Sequence, residues 1–234
     1  MPREASQIEE LFEKHKGEDH TIQFVSYNYT DVLDKIIARI ADPPFEVWNN
    51  NGQEHKYAVL PNVIHAHGTL DSFTIFGVND RYQIANRELL SVENFAEIMI
   101  KPTCVKALNE TWHKETIEAI KNSTVICIFG MSLGSTDSLW YKTIMKWLKE
   151  DENRHLIVFL EKSQKPDKTS CAQYFNNNTE IRKKMDNYAD GTNEELNKMH
   201  SRIHVIVKTE RVLRVKLKPK KKEIQKKMEE EKAI

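Results

Sequence analysis

Thr124-Val125-Ile126-Cys127-Ile128-Phe129-Gly130-Met131-Ser132-Leu133-Gly134-Ser135-Thr136-Asp137 decides how this chain is read. Its first six residues are apolar or β-branched, which predicts a strand buried on both faces of a parallel sheet. The next eight are mostly small or polar. Leu139, Trp140, Thr143, Ile144 and Trp147 then recur at helical spacing, predicting a helix over 136–149 whose tryptophans face a core. Another strand is predicted over 156–160. Strand, loop, helix and strand form the repeating unit of α/β proteins, and ligands of open α/β folds bind beyond the strand ends.

Working outward, 4–16 predicts an amphipathic helix with Ile8, Leu11 and Phe12 on one side. Residues 21–25 predict a strand. Thr30 or Asp31 can cap a helix through Val32, Leu33, Ile36, Ile37 and Ile40 that stops before Pro43-Pro44. Asn49 to Gly52 is a turn. Strands are predicted over 63–66 and 73–78, and helices over 92–101 and 105–121. The stretch 163–178 is polar and loop-like, 193–199 a short helix, and 203–207 and 212–217 strands. The fold class is α/β, a mostly parallel sheet flanked by helices. One domain spans 1–218, and 219–234 forms a charged helical tail.

The 234 residues suffice for one full core, at about 150 residues per domain. Thirty-five basic and 35 acidic residues balance, so no global charge draws the chain to nucleic acid or membrane. The Lys-rich tail is interrupted by Glu223, Glu229, Glu230 and Glu231, which argues for a solvated helix over a nucleic-acid arm. Cys104, Cys127 and Cys171 are odd in number and widely spaced, against a disulfide framework and for a reducing cytoplasm. No apolar run approaches the roughly 20 residues of a membrane span. A soluble cytoplasmic protein is expected.

Two further predicted strand ends carry polar residues: Ser26-Tyr27-Asn28-Tyr29-Thr30-Asp31 and His65-Ala66-His67-Gly68. Asn28 either satisfies its turn or holds a ribose hydroxyl or a water. The spacing of His65 and His67 puts both on one strand face, a metal-binding pattern when other ligands complete it. His55 is a loose third candidate, no ligand set has evident spacing, and no metal is expected. Histidine suits general-base work near neutral pH, and His67 is the candidate base. Gly68 suits a tight turn or close ligand approach.

Gly130-Met131-Ser132-Leu133-Gly134 fits G-x-S-x-G between a strand and a helix, the setting of a nucleophile elbow. Ser132 would then be a hydrolase nucleophile and needs an acid and a His downstream. His155 and His204 fall in or beside predicted strands, leaving His200. The competing reading is a ligand loop at a helix N-terminus, with the Ser132 hydroxyl and backbone N–H groups facing an anionic or ribose-bearing ligand. Asp137 would cap that helix or bond the ligand.

As an ordered set, the three segments resemble the AbiH-like bacteriophage abortive-infection family. Phe24-Val25-Ser26-Tyr27-Asn28-Tyr29-Thr30-Asp31 resembles its F-N-Y-T segment, and Val63-Ile64-His65-Ala66-His67-Gly68 its I-H-x-H-G segment. Gly130 to Asp137 resembles G-H-S-L-G-x-x-D, with Met131 where the family usually has His. The resemblance runs from about Thr21 to Trp147. The family is similar to the wider sirtuin-like group, which implies a Rossmann-like, sirtuin-like core at about 20–160 that takes NAD as substrate, and an NAD glycohydrolase-like activity if the chain is an enzyme.

On that resemblance Asn28 positions ribose or water, His67 is the base, and Tyr29, Thr30, Gly68, Gly130, Ser132, Leu133 and Asp137 surround the nucleotide. It implies a nucleotide small molecule as ligand, other defence proteins or phage components as partners, and self-association as a homo-oligomer. A non-catalytic module binding NAD or ADP-ribose is the alternative. Such families usually begin with a strand and a Gly-rich phosphate loop. The seven glycines here, at 17, 52, 68, 77, 130, 134 and 191, form none. The fold is therefore expected to be truncated at its N-terminus, as a fragment, the product of an alternative start or a divergent member.

Overall fold

The computed structural model describes residues 18–40, 45–50, 53–71, 74–108, 111–160 and 171–206, with Ile8, Glu10 and Leu11. In chain order the elements are β1 His20–Ile22, β2 Val25–Ser26, α1 Val32–Ile40, β3 Phe45–Asn50, β4 Gln53–Val59, β5 Ile64–His65, α2 Phe95–Met99, α3 Lys101–Leu108, α4 Trp112–Lys121, β6 Val125–Phe129, α5 Ser138–Glu150, β7 His155–Phe159, α6 Cys171–Asp186, α7 Asn193–His200 and β8 Ile203–Ile206. Pairing is parallel for β1 with β4, β2 with β5, β6 with β7 and β7 with β8. The β3–β4 hairpin is antiparallel. The chain is thus α/β with mostly parallel pairing, as expected.

The core lies where α5 covers the β6–β7–β8 sheet. Trp140, Tyr141, Ile144, Met145, Trp147 and Leu148 of α5 are buried, meeting Ile128, Leu156, Val158, Ile203 and Val205. The indole N–H of Trp147 donates to the Ser123 carbonyl at 2.9 Å, so its burial leaves no unmet donor. Arg202 closes the other end of α5, with Nη1 on the carbonyls of Leu148 and Asp151 at 2.6 and 2.7 Å. Those late-helix carbonyls have no partner within the helix. On the opposite sheet face, Ile8 and Leu11 pack with Ile157, Phe159 and Ile206.

Several expectations are corrected. The β6 strand is not buried on both faces: Ile128 is buried, while Cys127 and Phe129 are exposed. The predicted strand 21–25 is two short strands in different sheets, separated at Gln23-Phe24. Of the strand expected over 73–78, the described residues 74–78 form none; Val78 makes an isolated parallel bridge with Ile100. The helix expected over 92–101 is α2 alone. The one expected over 105–121 is α3 and α4, with Pro102 tolerated in the first turn of α3, where no N–H partner is lost. The β3–β4 hairpin falls where only the turn at 49–52 was expected, and α6 begins at Cys171, inside the predicted polar loop. The predicted strand 212–217, the tail 219–234 and Phe12 lie outside the described residues.

Leu156 is fully buried in the middle strand under α5. Leu156→Ala is expected to lower unfolding free energy by about 2–5 kcal/mol, through lost transfer energy and the cavity left behind. Urea denaturation followed by tryptophan fluorescence measures it.

Candidate functional site

Pairing of β2 with β5 sets Tyr27–Tyr29 beside Ala66–Gly68. The Ala66 N–H donates to the Ser26 carbonyl at 2.9 Å, and the Leu70 N–H to the Tyr29 carbonyl at 2.8 Å. Gly68 takes φ 74°, which lets the chain turn directly behind His67. The His67 ring is enclosed by tyrosines: Tyr27 meets it edge-on at 5.5 Å between centroids, and Tyr29 at 6.1 Å. Tyr27 also meets Trp140 at 5.8 Å, tying the site to the core.

The third segment closes on this pair. After β6, Leu133 holds φ 52°, uncommon for a residue with a side chain. Its side chain is buried, and its carbonyl accepts from the Tyr188 hydroxyl at 3.2 Å. A 3-10 turn, Ser135–Asp137, leads into α5. Asp137 stands at the N-cap of α5, yet its side chain makes no capping bond. Its Oδ1 accepts from His67 Nε2 at 3.0 Å and from Lys101 Nζ at 3.0 Å. Of the two uses expected for Asp137, capping is therefore replaced by an ionic cluster.

The side chains of His67, Asp137 and Lys101 are 7%, 22% and 12% exposed. At that burial the cluster is unlike a solvated surface pair, which contributes little. Burial acts to raise the Asp137 carboxyl, but the His67 and Lys101 contacts outweigh it and hold the group at about 2. An ionised Asp137 only accepts hydrogen bonds, so a neutral His67 carries its proton on Nε2 and keeps its lone pair on Nδ1. Burial, with Asp137 adding, also raises the Tyr29 hydroxyl and pushes Tyr27 far up, so both remain phenols.

A recess opens beside His67, lined by Ala66, Ile75, Lys101, Trp112, His113 and Trp140 among others. It has room for about one water molecule. His113 packs on Trp140 at 4.9 Å, and burial followed by the nearby His67 lowers its pKa.

The structure joins His67 and Asp137 and leaves the other predicted residues around them. Asn28 is exposed; its carbonyl faces His65 Nδ1 at 3.3 Å, and its amide side chain makes no hydrogen bond to a described residue. Thr30 is exposed in the bend before α1. Gly130 and Ser132 are exposed in the loop after β6. His65 and His67 do not act together: His65 Nε2 pairs with Asp34 at 2.9 Å, whereas His67 turns to Asp137. Among the described residues, no three His, Cys, Asp or Glu side chains gather as a metal site.

Nor, among the described residues, does a histidine hydrogen-bond Ser132. His155 faces His204 at 3.1 Å, His200 pairs with Asp186 at 2.8 Å, and the left-handed residues of the loop are Gly130 and Leu133, not Ser132.

Lys101 was not foreseen. It is brought in by the Val78–Ile100 bridge, with the Lys101 N–H on the Val78 carbonyl at 2.8 Å. Gly77, at φ 129°, makes the approach possible, since a Cβ there would run into the Met99 carbonyl. The sequence holds no signal for this contact. The tyrosine enclosure did have one, the alternation of Tyr27 and Tyr29 around Asn28.

Residues 3–159 match the family described as bacteriophage abortive infection AbiH, about two thirds of the chain and all of the cluster just described. The chain belongs to the AbiH family. Its biological setting is accordingly abortive infection in response to bacteriophage. No curated protein and no solved structure matches this AbiH chain. Among its described residues, no helix is long and apolar enough to cross a membrane.

Two outcomes follow for the AbiH cluster. Because the Asp137 carboxyl is lowered from 3.8 to about 2 in the folded state, its contribution is present above pH 3.8 and lost as pH falls through 2. Asp137→Asn is expected to cost roughly 2 kcal/mol at pH 7, with the gap to wild type shrinking from pH 4 toward pH 2. Denaturant titration across that range measures it. Gly77→Ala is expected to cost more than about 1 kcal/mol, and to speed amide exchange at Val78 and Lys101 by loosening the bridge.

Proposed function

We propose that this AbiH protein acts in abortive infection by cleaving the nicotinamide–ribose bond of NAD, with His67 as general base. The observation that supports this reading is the His67–Asp137 contact at 3.0 Å, which joins two of the three strand-end segments. Departure of nicotinamide leaves an oxocarbenium-like centre at C1′, so a weak nucleophile suffices once it is positioned. The C1′–N bond breaks with its electron pair going to the ring nitrogen, and a water oxygen bonds to C1′. The water proton passes to Nδ1 of His67, giving nicotinamide, ADP-ribose and one proton. Asp137 holds the imidazole in the tautomer that accepts at Nδ1. Asn28, exposed and with its amide uncommitted, orients water or ribose from the adjacent strand end. Ser132 offers its hydroxyl to the nucleotide, with Gly68, Tyr29, Thr30, Gly130 and Leu133 shaping the surround. The reaction takes place in the cytoplasm.

One observation favours a second reading. The recess holds about one water, and Lys101 already satisfies Asp137. A module that binds NAD or ADP-ribose without turning it over fits such a closed site.

Nicotinamide release from NAD by purified protein, with and without phage lysate, separates the two. His67→Ala is expected to reduce turnover by about 100- to 10,000-fold, the usual range for a general base. Asn28→Ala is also expected to lower turnover. Calorimetric binding of NAD with no nicotinamide released would support the module, and absence of both would overturn both readings.

A further inference from the structure

The 78–101 loop is closed at its neck and weakly anchored along its length. Its ends meet at the Val78–Ile100 bridge. Between Ile75 and Cys104 the only buried residue is Ile84, while Tyr82, Val92 and Ile98 are exposed. What fastens it to the site is polar, and every donor comes from the loop. Asn79 Nδ2 donates to the Ser135 carbonyl and to Ser138 Oγ, both at 2.9 Å, and Gln83 Nε2 donates to the same Ser135 carbonyl at 3.2 Å. Lys101 Nζ donates to the Thr136 carbonyl at 3.3 Å and to Asp137 at 3.0 Å. The turn before α5 thus presents two carbonyls and a carboxylate, met by two primary carboxamides and one ammonium.

An acceptor set of that kind has a chemical preference. Without the loop's donors the Ser135 and Thr136 carbonyls, on exposed residues, would turn to water, while the partly buried Asp137 carboxylate would lose a charged donor, and an unmet acceptor there is costly. A ligand that replaces those donors has to bring a positive charge and amide N–H groups. The flanking recess has room for about one water while the loop's Asn79 and Lys101 line it; with these displaced, its remaining walls, Trp112, Trp140 and Ile75 among them, suit a flat ring. A pyridinium bearing a primary carboxamide carries all three features.

We propose that the neck of the 78–101 loop is a built-in surrogate ligand. Its Lys101 ammonium and its Asn79 and Gln83 carboxamides hold the acceptors that a cationic aromatic carboxamide takes when the loop is displaced. The inference rests on the reading of this site as one for a pyridinium nucleotide, and makes the loop its autoinhibitory element. Lys101 is here a competitor for Asp137, not a catalytic residue. The loop keeps the site shut, and a ligand or partner that draws it away opens the site.

The test measures binding, not turnover, on the full chain. Three probes share one ring: 1-methylnicotinamide, a cation with a carboxamide; nicotinamide, neutral with the same amide; and nicotinate, an anion. In Lys101→Met, 1-methylnicotinamide is expected to bind about tenfold or more tighter than to wild type, the range of a charge-assisted contact. The expected order is cation, then neutral amide, then anion. The double variant Asn79→Ala/Gln83→Ala keeps the Lys101–Asp137 pair and frees the Ser135 carbonyl and Ser138 on the α5 side, with the Asn79 and Asp80 N–H groups that Gln83 Oε1 accepts from on the loop itself. It is expected to gain affinity for nicotinamide, and it carries the test if Lys101→Met does not fold. Unchanged or absent cation binding in folded Lys101→Met, or nicotinate bound as well as the cation, would overturn the proposal. So would an unfolded Lys101→Met together with a double variant that gains nothing for nicotinamide. Tight cation binding without NAD cleavage would leave the surrogate-ligand inference standing while the catalytic reading failed.

Discussion

One carboxylate holds the candidate site of this protein together. Asp137 receives His67 from 70 residues upstream and Lys101 from 36 residues upstream, both at 3.0 Å. Each partner arrives on a different piece of backbone: the turn after β5, the neck of the 78–101 loop, and the start of α5. The carboxylate is partly desolvated, so neither donor can leave without exposing a charge that its surroundings no longer solvate. The same condition keeps Asp137 ionised and, with His67 neutral, assigns its proton to Nε2.

The cluster inherits its precision from the core. Tyr27 lies between His67 and Trp140, and Trp140 begins the run of α5 side chains that packs on β6, β7 and β8. The loop ahead of Asp137 is fixed by the buried Leu133 side chain and by the Tyr188 hydroxyl on its carbonyl. Tyr188 meets Tyr141 of α5 at 5.1 Å, so the loop is gripped from the same helix that follows it. The 78–101 loop is held differently, by polar contacts at its neck and little apolar burial. A rigid base beside a loosely held cover is the arrangement that allows one to stay in place while the other moves.

Legibility followed the kind of signal each segment carried. The apolar run through β6 and the helical spacing of Trp140, Ile144 and Trp147 announced the central unit. Thr192 and Glu195 form a capping box that starts α7 where its periodicity begins. The β3–β4 hairpin was missed because Asn, Gln, Glu, His and Lys interrupt its alternation. The α6 helix was missed because Asn176-Asn177-Asn178 is poor in helix formers, although Asn178 and Ile181 are buried on it. The two-faced burial expected of β6 failed because hydrophobicity reports that a strand can be covered, not that something covers it.

By itself the sequence determined the α/β class, the order of the three polar strand-end segments and the membership that their order announces. Those are local properties, written in apolar periodicity and in short motifs within a few residues of one another. Only the tertiary structure decided which polar side chains meet. It parted His65 from His67, gave His67 to Asp137, left Ser132 without a histidine among the described residues, and brought in Lys101 from a segment with no motif. Ionic contacts between residues tens of positions apart depend on where the backbone carries each side chain, and on the water removed around them. Neither quantity is a property of any short stretch of sequence.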